Sequence, residues 1–147
     1  MKIKWFFYLS ICFFSFSLPT QTKSLKITWK TLSEIDYKEV DYKDESVMFV
    51  PVFSQNVKKI NGKKISISGF IVPITKSTYA ISRYDMASCF FCGNAGPESI
   101  IGLKFKKNPG SIKTDSFVTI EGFLKLNDSE PEEWVYSCEK VEIISLN

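Results

Sequence analysis

The 147-residue sequence contains no histidine and one arginine, Arg83. Without an imidazole the chain cannot hold a Ser-His-Asp or Cys-His hydrolase centre, or a zinc site with histidine ligands. Sequence-independent binding of nucleic acid needs clustered lysine and arginine, but here 19 basic residues are offset by 16 acidic ones. Thiols, carboxylates and hydroxyls remain for chemistry, and nucleic acid is not an expected partner.

The chain also lacks an apolar run of comfortable membrane-spanning length, yet its start has the pattern of an export signal. Lys2 and Lys4 precede an apolar run over residues 5–18. We expect residues 1–22 to be a secretory signal peptide, cleaved near Ser17 or a few residues later. The protein would then be exported to the periplasm or cell envelope. A signal that stays uncleaved would instead attach the protein to the membrane.

Two later segments match each other position for position. Residues 65–71 and 118–124 are both apolar strands with a glycine in the middle, Gly69 and Gly122. A glycine inside a strand pattern is typical of a bulge or a sharp bend, and a small closed barrel needs such bends to turn its corners. We therefore expect two long, bent strands.

Three shorter strands are predicted at residues 78–84, 99–105 and 133–144. Five strands of which the first and fourth are long and bent predict an all-β fold, a small five-stranded OB-like barrel. A plain five- or six-stranded sandwich is the alternative. We expect residues 23–147 to form this barrel as a single domain.

Residues 23–59 are predicted to be an N-terminal arm packed on the barrel. Trp29 and Leu32 are three positions apart, as on one face of a short helical turn, which would lay Trp29 on the barrel. The apolar run 47–53 is interrupted by Pro51, so it is expected to be an edge strand or an extended packed segment.

The chemically distinctive stretch is the thiol pair Cys89 and Cys92, which is followed directly by a glycine. In the metal hypothesis these two thiolates bind one ion together with Cys138 on the last strand. Glu98, Asp85 or a water would complete the site. Zn²⁺ accepts mixed sulfur and oxygen donors, and thiolates also suit Cu(I).

A disulfide is the main alternative, because export favours oxidation. It would join Cys89 to Cys92, or one of them to Cys138. A catalytic redox motif needs a helix N-terminus to lower the pKa of its first thiol, whereas Gly-Asn-Ala-Gly-Pro follows Cys92. A structural bridge is therefore favoured over a catalytic one, and inert thiols are the third alternative.

The chain resembles a group of short exported bacterial proteins classed as a domain of unknown function with an OB-like barrel. The residues that carry the resemblance are Trp29 with Leu32, residues 51–54, residues 61–65, the run 69–74 and the cysteine loop 88–93. It implies a bacterial envelope protein with no established activity and no catalytic residue. Cys89 and Cys92 match the cysteine loop of the group, and Cys138 is not part of the matching pattern.

The leading hypothesis is a protein without catalytic activity whose barrel presents the cysteine site. The site would bind a thiophilic metal such as zinc in a metal-handling or assembly role, with an unidentified envelope protein or ligand as partner. A thiol-redox protein is one competing class. A module that binds an oligosaccharide or a protein, with the Cys89–Cys92 disulfide stapling its loop, is the other.

Overall fold

The computed structural model describes residues 23–41, 46–85 and 95–146. In chain order the elements are β1 (Leu25–Lys26), α1 (Trp29–Leu32), β2 (Ile35–Asp41), β3 (Val47–Phe53), α2 (Gln55–Ile60), β4 (Lys64–Pro73), β5 (Tyr79–Ser82), β6 (Ile100–Phe105), β7 (Phe117–Leu126) and β8 (Tyr136–Leu146). A 3₁₀ turn, Pro97–Ser99, precedes β6. The expected signal peptide, residues 1–22, lies outside the described residues and stays a prediction.

Five strands close into a barrel in the order β4-β5-β6-β8-β7, with β7 pairing back onto β4. Strands β6 and β8 are parallel, and the other pairs are antiparallel. In chain order the first and fourth strands of the barrel are β4 and β7, and each is ten residues long. The all-β, OB-like barrel predicted from the sequence is therefore confirmed, and the alternative sandwich is wrong.

The core of the barrel follows from alternation along the strands. On β4, Ile65 and Ile67 are buried while Ser66 and Ser68 are only half-buried. Strand β7 alternates in the same way, whereas all four residues of β5 and the first four of β6 are buried. Branched and aromatic side chains of the five strands fill the interior, among them Ile71, Ile81, Ile101, Val118, Ile120, Leu124, Tyr136, Cys138 and Val141. Burial of this apolar surface is the main favourable contribution to folding.

The two mid-strand glycines have different roles. The register of β4 with β7 runs without a shift through Gly69, so of the two alternatives expected there, a bulge or a sharp bend, the bulge is absent. Gly69 instead marks the place where β4 gains β5 as a partner, since a Cβ at Gly69 would lie 2.5 Å from the carbonyl oxygen of Ser82. At Gly122 a bulge is present. There Lys140 and Val141 of β8 oppose the single glycine, and Lys140 has a φ of 53°.

The segment before β2 completes the wall of the barrel. Strand β1 pairs in parallel with β4 at Ile65, along the part of β4 that β5 does not reach. The indole Nε1 of Trp29 donates to the Ser68 carbonyl at 2.8 Å, and Leu32 of the same helical turn is fully buried. The expectation that a helical turn lays Trp29 on the barrel is confirmed.

Strands β2 and β3 form a separate antiparallel hairpin that includes Pro51. The expected edge strand is therefore β3. Its partner β2 and the helix α2 were not predicted from the sequence. Helix α2 begins after Ser54, whose hydroxyl accepts from the Val57 N–H at 3.2 Å, and it buries Val57 and Ile60. In the described ranges none of the helices is long and apolar enough to cross a membrane.

Candidate functional site

The predicted site lies on the connection between β5 and β6. Cys89 and Cys92 fall within residues 86–94, outside the described residues. The two ends of the connection are held side by side, because the Arg83 N–H donates to the Ser99 carbonyl at 2.9 Å. Ser99 in turn donates through its hydroxyl to the Gly96 carbonyl at 2.7 Å. The connection therefore leaves and rejoins the barrel at one place.

Glu98 is half-buried in the 3₁₀ turn where the connection rejoins the barrel. Its carboxylate folds back over Gly96, where an added Cβ would lie 2.6 Å from Oε1. The hydroxyl of Tyr37, on the hairpin strand β2, donates to Oε2 at 3.5 Å. The carboxylate of Glu98 thus occupies the space that a side chain at Gly96 would fill, and it accepts a hydrogen bond from the hairpin.

Two tyrosines beside Glu98 are held in their neutral form. Although Tyr37 is 37% exposed, desolvation of the part that faces the protein, together with the charge and hydrogen bond of Glu98, raises its pKa to about 12. Burial is also the main reason that the pKa of Tyr136 is raised, with smaller contributions from Tyr37 and Glu98. Both phenols therefore remain hydrogen-bond donors at ordinary pH. Neither can act as a phenolate base or nucleophile there.

Tyr136 ties the N-terminal helical turn to the barrel. Its hydroxyl donates to the Leu32 carbonyl at 2.7 Å, in a buried hydrogen bond, and its ring centroid lies 5.6 Å from that of Phe53. The pair fixes the base of the hairpin on which Tyr37 stands. Tyr136 therefore supports the surroundings of Glu98 from the interior.

Replacing Tyr136 with phenylalanine is expected to lower the free energy of unfolding by about 1–3 kcal/mol, because the buried Leu32 carbonyl loses its donor. Urea unfolding of the purified protein measures the change. Tyr79→Phe is the matched control, since the Tyr79 hydroxyl donates to the carbonyl of the exposed Gly110 and water can replace it. An equal loss in the two variants would contradict the special role of the buried bond.

Cys138 lies inside the barrel and is fully buried. It stands between Leu103 of β6 and Leu124 of β7 in the sheet register, and its sulfur covers Gly122. Burial raises the pKa of the thiol to about 12, with a smaller contribution from Glu139. The thiol is therefore protonated at ordinary pH, and its surroundings are those of a small apolar core residue.

The structure thus separates two of the predicted ligands. Glu98 lies at the foot of the connection that carries Cys89 and Cys92, while Cys138 lies in the core. Among residues 23–41, 46–85 and 95–146, no three histidine, cysteine, aspartate or glutamate side chains are grouped so that they could hold a metal ion. The metal and disulfide hypotheses for Cys89 and Cys92 stay predictions.

No protein-family model and no curated protein matches the chain. Its fold is similar to the crystal structure of a DUF3299 family protein from Pseudomonas aeruginosa PAO1. The superposition covers 84% of this chain and 97% of that chain, with a TM-score of 0.53 and 15% sequence identity. At this identity the likeness shows the fold alone. It agrees with the predicted resemblance to a family of unknown function, and it does not bear on the cysteine loop.

Two tyrosines whose pKa values Glu98 influences were not named as site residues from the sequence. Tyr37 is 61 positions away from Glu98, and Tyr136 is 38 positions away, so no local spacing connects them. The sequence did contain a pattern that indicates the position of Tyr136. Tyr136 and Cys138 are two positions apart on the predicted last strand, so both lie on its inward face. The contact of Tyr37 with Glu98 depends on the β2–β3 hairpin, which was not predicted from the sequence.

Proposed function

We propose that this chain is an exported cell-envelope protein without catalytic activity, whose OB-like barrel presents a cysteine site for a thiophilic cation such as Zn²⁺. The observation that supports the proposal is the position of Glu98. A half-buried carboxylate lies at the point where the connection carrying Cys89 and Cys92 rejoins the barrel. Two thiolates and one carboxylate are a donor set that Zn²⁺ accepts, with a water in the fourth place.

The charge of Glu98 is suited to this role. The ion pairs among the described residues join Lys64 to Glu121, Lys106 to Glu142 and Lys125 to Glu139, and none of them involves Glu98. Tyr37 supplies one long hydrogen bond at 3.5 Å and no positive charge. A cation bound by Cys89 and Cys92 would supply that charge, and the carboxylate would complete its coordination.

Cys138 has a different role in this proposal. The Cys138 sulfur is fully buried inside the barrel and lies against Gly122, so a cation would have to enter the core to reach it. We therefore assign Cys89, Cys92 and Glu98 to the site and Cys138 to the core. The set that includes Cys138 as a third thiolate is the alternative that the following experiment separates.

The experiment is the intact native mass of the full-length protein, exported to an oxidising compartment and purified without added metal, before and after chelator. The expected result is a mass excess of one metal ion that the chelator removes. Cys89→Ser and Cys92→Ser should abolish the excess, and Glu98→Gln should weaken retention of the ion during dialysis. Cys138→Ala is the matched control and should keep the ion. Loss of the ion in Cys138→Ala as well as in Cys89→Ser and Cys92→Ser would favour the three-thiolate set.

The same masses test the remaining parts of the proposal. Export predicts a chain that begins near position 17 or between positions 20 and 22. A metal-free protein lighter by two hydrogens than the reduced chain would overturn metal binding for that form. It would favour a disulfide, either in a thiol-redox protein or as a staple in a module that binds an oligosaccharide or a protein.

A further inference from the structure

A groove lies between the hairpin and the connection that joins β7 to β8. One wall is the β3 stretch 48–51, and the other is the loop 127–131 together with Glu133. Val135, which packs against the core, also lines the groove, whose volume is about 150 Å³. In the described part of the chain β3 pairs with β2 alone, so the groove runs along a strand edge that has no neighbouring strand.

Pro51 shows which backbone groups face this edge. Proline has no N–H, so a strand accommodates it where its nitrogen points away from the paired strand. Alternate residues of an antiparallel strand present their N–H and C=O to the same edge. Val47 and Phe49 therefore direct their N–H and C=O groups toward the outer edge, like Pro51. These groups make no backbone hydrogen bond outside the hairpin within the described residues.

The side chains along this edge are apolar and exposed. Phe49 is 64% exposed, and Val47 is 55% exposed. Soluble proteins usually cover such an edge or place charges on it, because it is a template for pairing with another strand. Within the described residues no strand covers this edge, and the strand from Val47 to Phe53 carries no charged residue. Pro51 removes one donor from the edge and leaves those of Val47 and Phe49 in place.

The opposite wall of the groove is acidic. Asp128, Glu130 and Glu133 line it, and none of the described lining residues is basic. Asn127 holds this wall in place: its side-chain oxygen accepts the Glu130 N–H at 2.9 Å, and its amide donates to the Glu130 carbonyl at 2.7 Å. The wall is therefore a turn held by side-chain hydrogen bonds, and it presents carboxylates to the groove.

We propose that this groove binds an extended segment of a partner protein, which adds to the edge of β3 as a third strand and carries alternating apolar and basic side chains. An added strand uses the backbone groups of Val47 and Phe49. Its alternate side chains point to opposite faces, so one set covers Phe49 while the other reaches the carboxylates of the loop. The proposal is independent of the cysteine site, which lies on another connection.

The test uses a synthetic peptide of six residues, acetyl-Lys-Val-Lys-Val-Lys-Val-amide, titrated into the full mature protein and followed by calorimetry and by amide chemical shifts. The expected result is saturable binding with shifts at Val47 and Phe49. The same peptide with glutamate in place of lysine is expected to bind at least about tenfold more weakly. A lysine peptide N-methylated on every residue loses strand pairing at both of its edges but keeps its charge, and it should not bind.

Neighbouring glutamates provide a matched pair of variants. Glu133→Lys, in the wall of the groove, should weaken binding of the lysine peptide about fivefold, because it replaces an attraction with a repulsion. Glu132→Lys makes the same change of charge one position away, outside the groove, and should leave affinity within twofold. Four outcomes would each overturn the proposal. The two charged peptides could bind equally well, or the two variants could have equal effects. The N-methylated peptide could bind as tightly as its parent, or no saturable binding could be seen at all.

Discussion

Gly122→Ala is expected to lower the free energy of unfolding by about 3 kcal/mol. A Cβ at this position would lie 2.6 Å from the sulfur of Cys138 and 2.8 Å from the carbonyl oxygen of Glu139. Both atoms belong to β8 at the bulge, so the added methyl group has to push the two strands apart. Urea unfolding, with the slope of the transition compared between variants, measures the loss.

The sulfur and the carbonyl contributions can be separated. Cys138→Ala removes the sulfur and leaves the carbonyl, so the double variant should lose less stability than the sum of the two single variants, with a coupling of about 1 kcal/mol. Gly69→Ala is the matched control. Its Cβ would meet the Ser82 carbonyl, and the atoms nearest to it do not include Cys138. Gly69→Ala should therefore be as destabilising, and Cys138→Ala should not rescue it.

A Gly122→Ala variant with the stability of the parent protein would contradict this account. It would mean that β7 and β8 shift apart at little cost, and that the glycine is required for another reason. Additive losses in the double variant would show that the backbone carbonyl alone accounts for the effect. Either result would change the interpretation of the glycine repeated in the two long strands.

The barrel could be predicted because one face of each of its two long strands, β4 and β7, is buried and the other is half-buried or exposed. Alternation and the repeated glycine segments are consequences of that burial, and they appear directly in the sequence. The hairpin could not be predicted in the same way. Along β2 only Ile35 and Val40 are even half-buried, so neither face of the strand requires regular alternation. The sequence of β2 therefore has no pattern from which its pairing with β3 could be predicted.

The candidate site stays a prediction, and the described residues give the surroundings of Glu98 and Cys138. Glu98 was named from its place near the thiol pair, and the structure adds Tyr37 as its hydrogen-bond donor. Cys138 was named by counting thiols, and its role as a ligand stays a prediction. The structure places it on the same buried face of β8 as Tyr136, because residues two apart on a strand share a face.

Stability is expected to fall steeply above about pH 9, and Cys138 is the first described group responsible. Its pKa is raised from an ordinary value of 9.0 to about 12 in the folded protein. Below pH 9 the thiol is protonated in both the folded and unfolded states and has no effect on the pH dependence. Between pH 9 and 12 the unfolded chain releases a proton that the folded chain keeps, so stability falls by up to about 1.4 kcal/mol per pH unit.

The tyrosines extend this loss at higher pH. The pKa values of Tyr37 and Tyr136 are raised from 10.0, mainly by burial, so their contribution is complete below pH 10 and is lost above it. Cys138→Ala should therefore move the onset of the fall from about pH 9 to about pH 10. Urea unfolding at steps from pH 7.5 to 11, with chelator and a thiol-free reductant, measures both curves. The two proteins differ at position 138 alone, so the difference between the curves isolates Cys138. A difference that stays constant across this range would show that the fold does not shield the thiol, and Cys138 would then return as a candidate ligand.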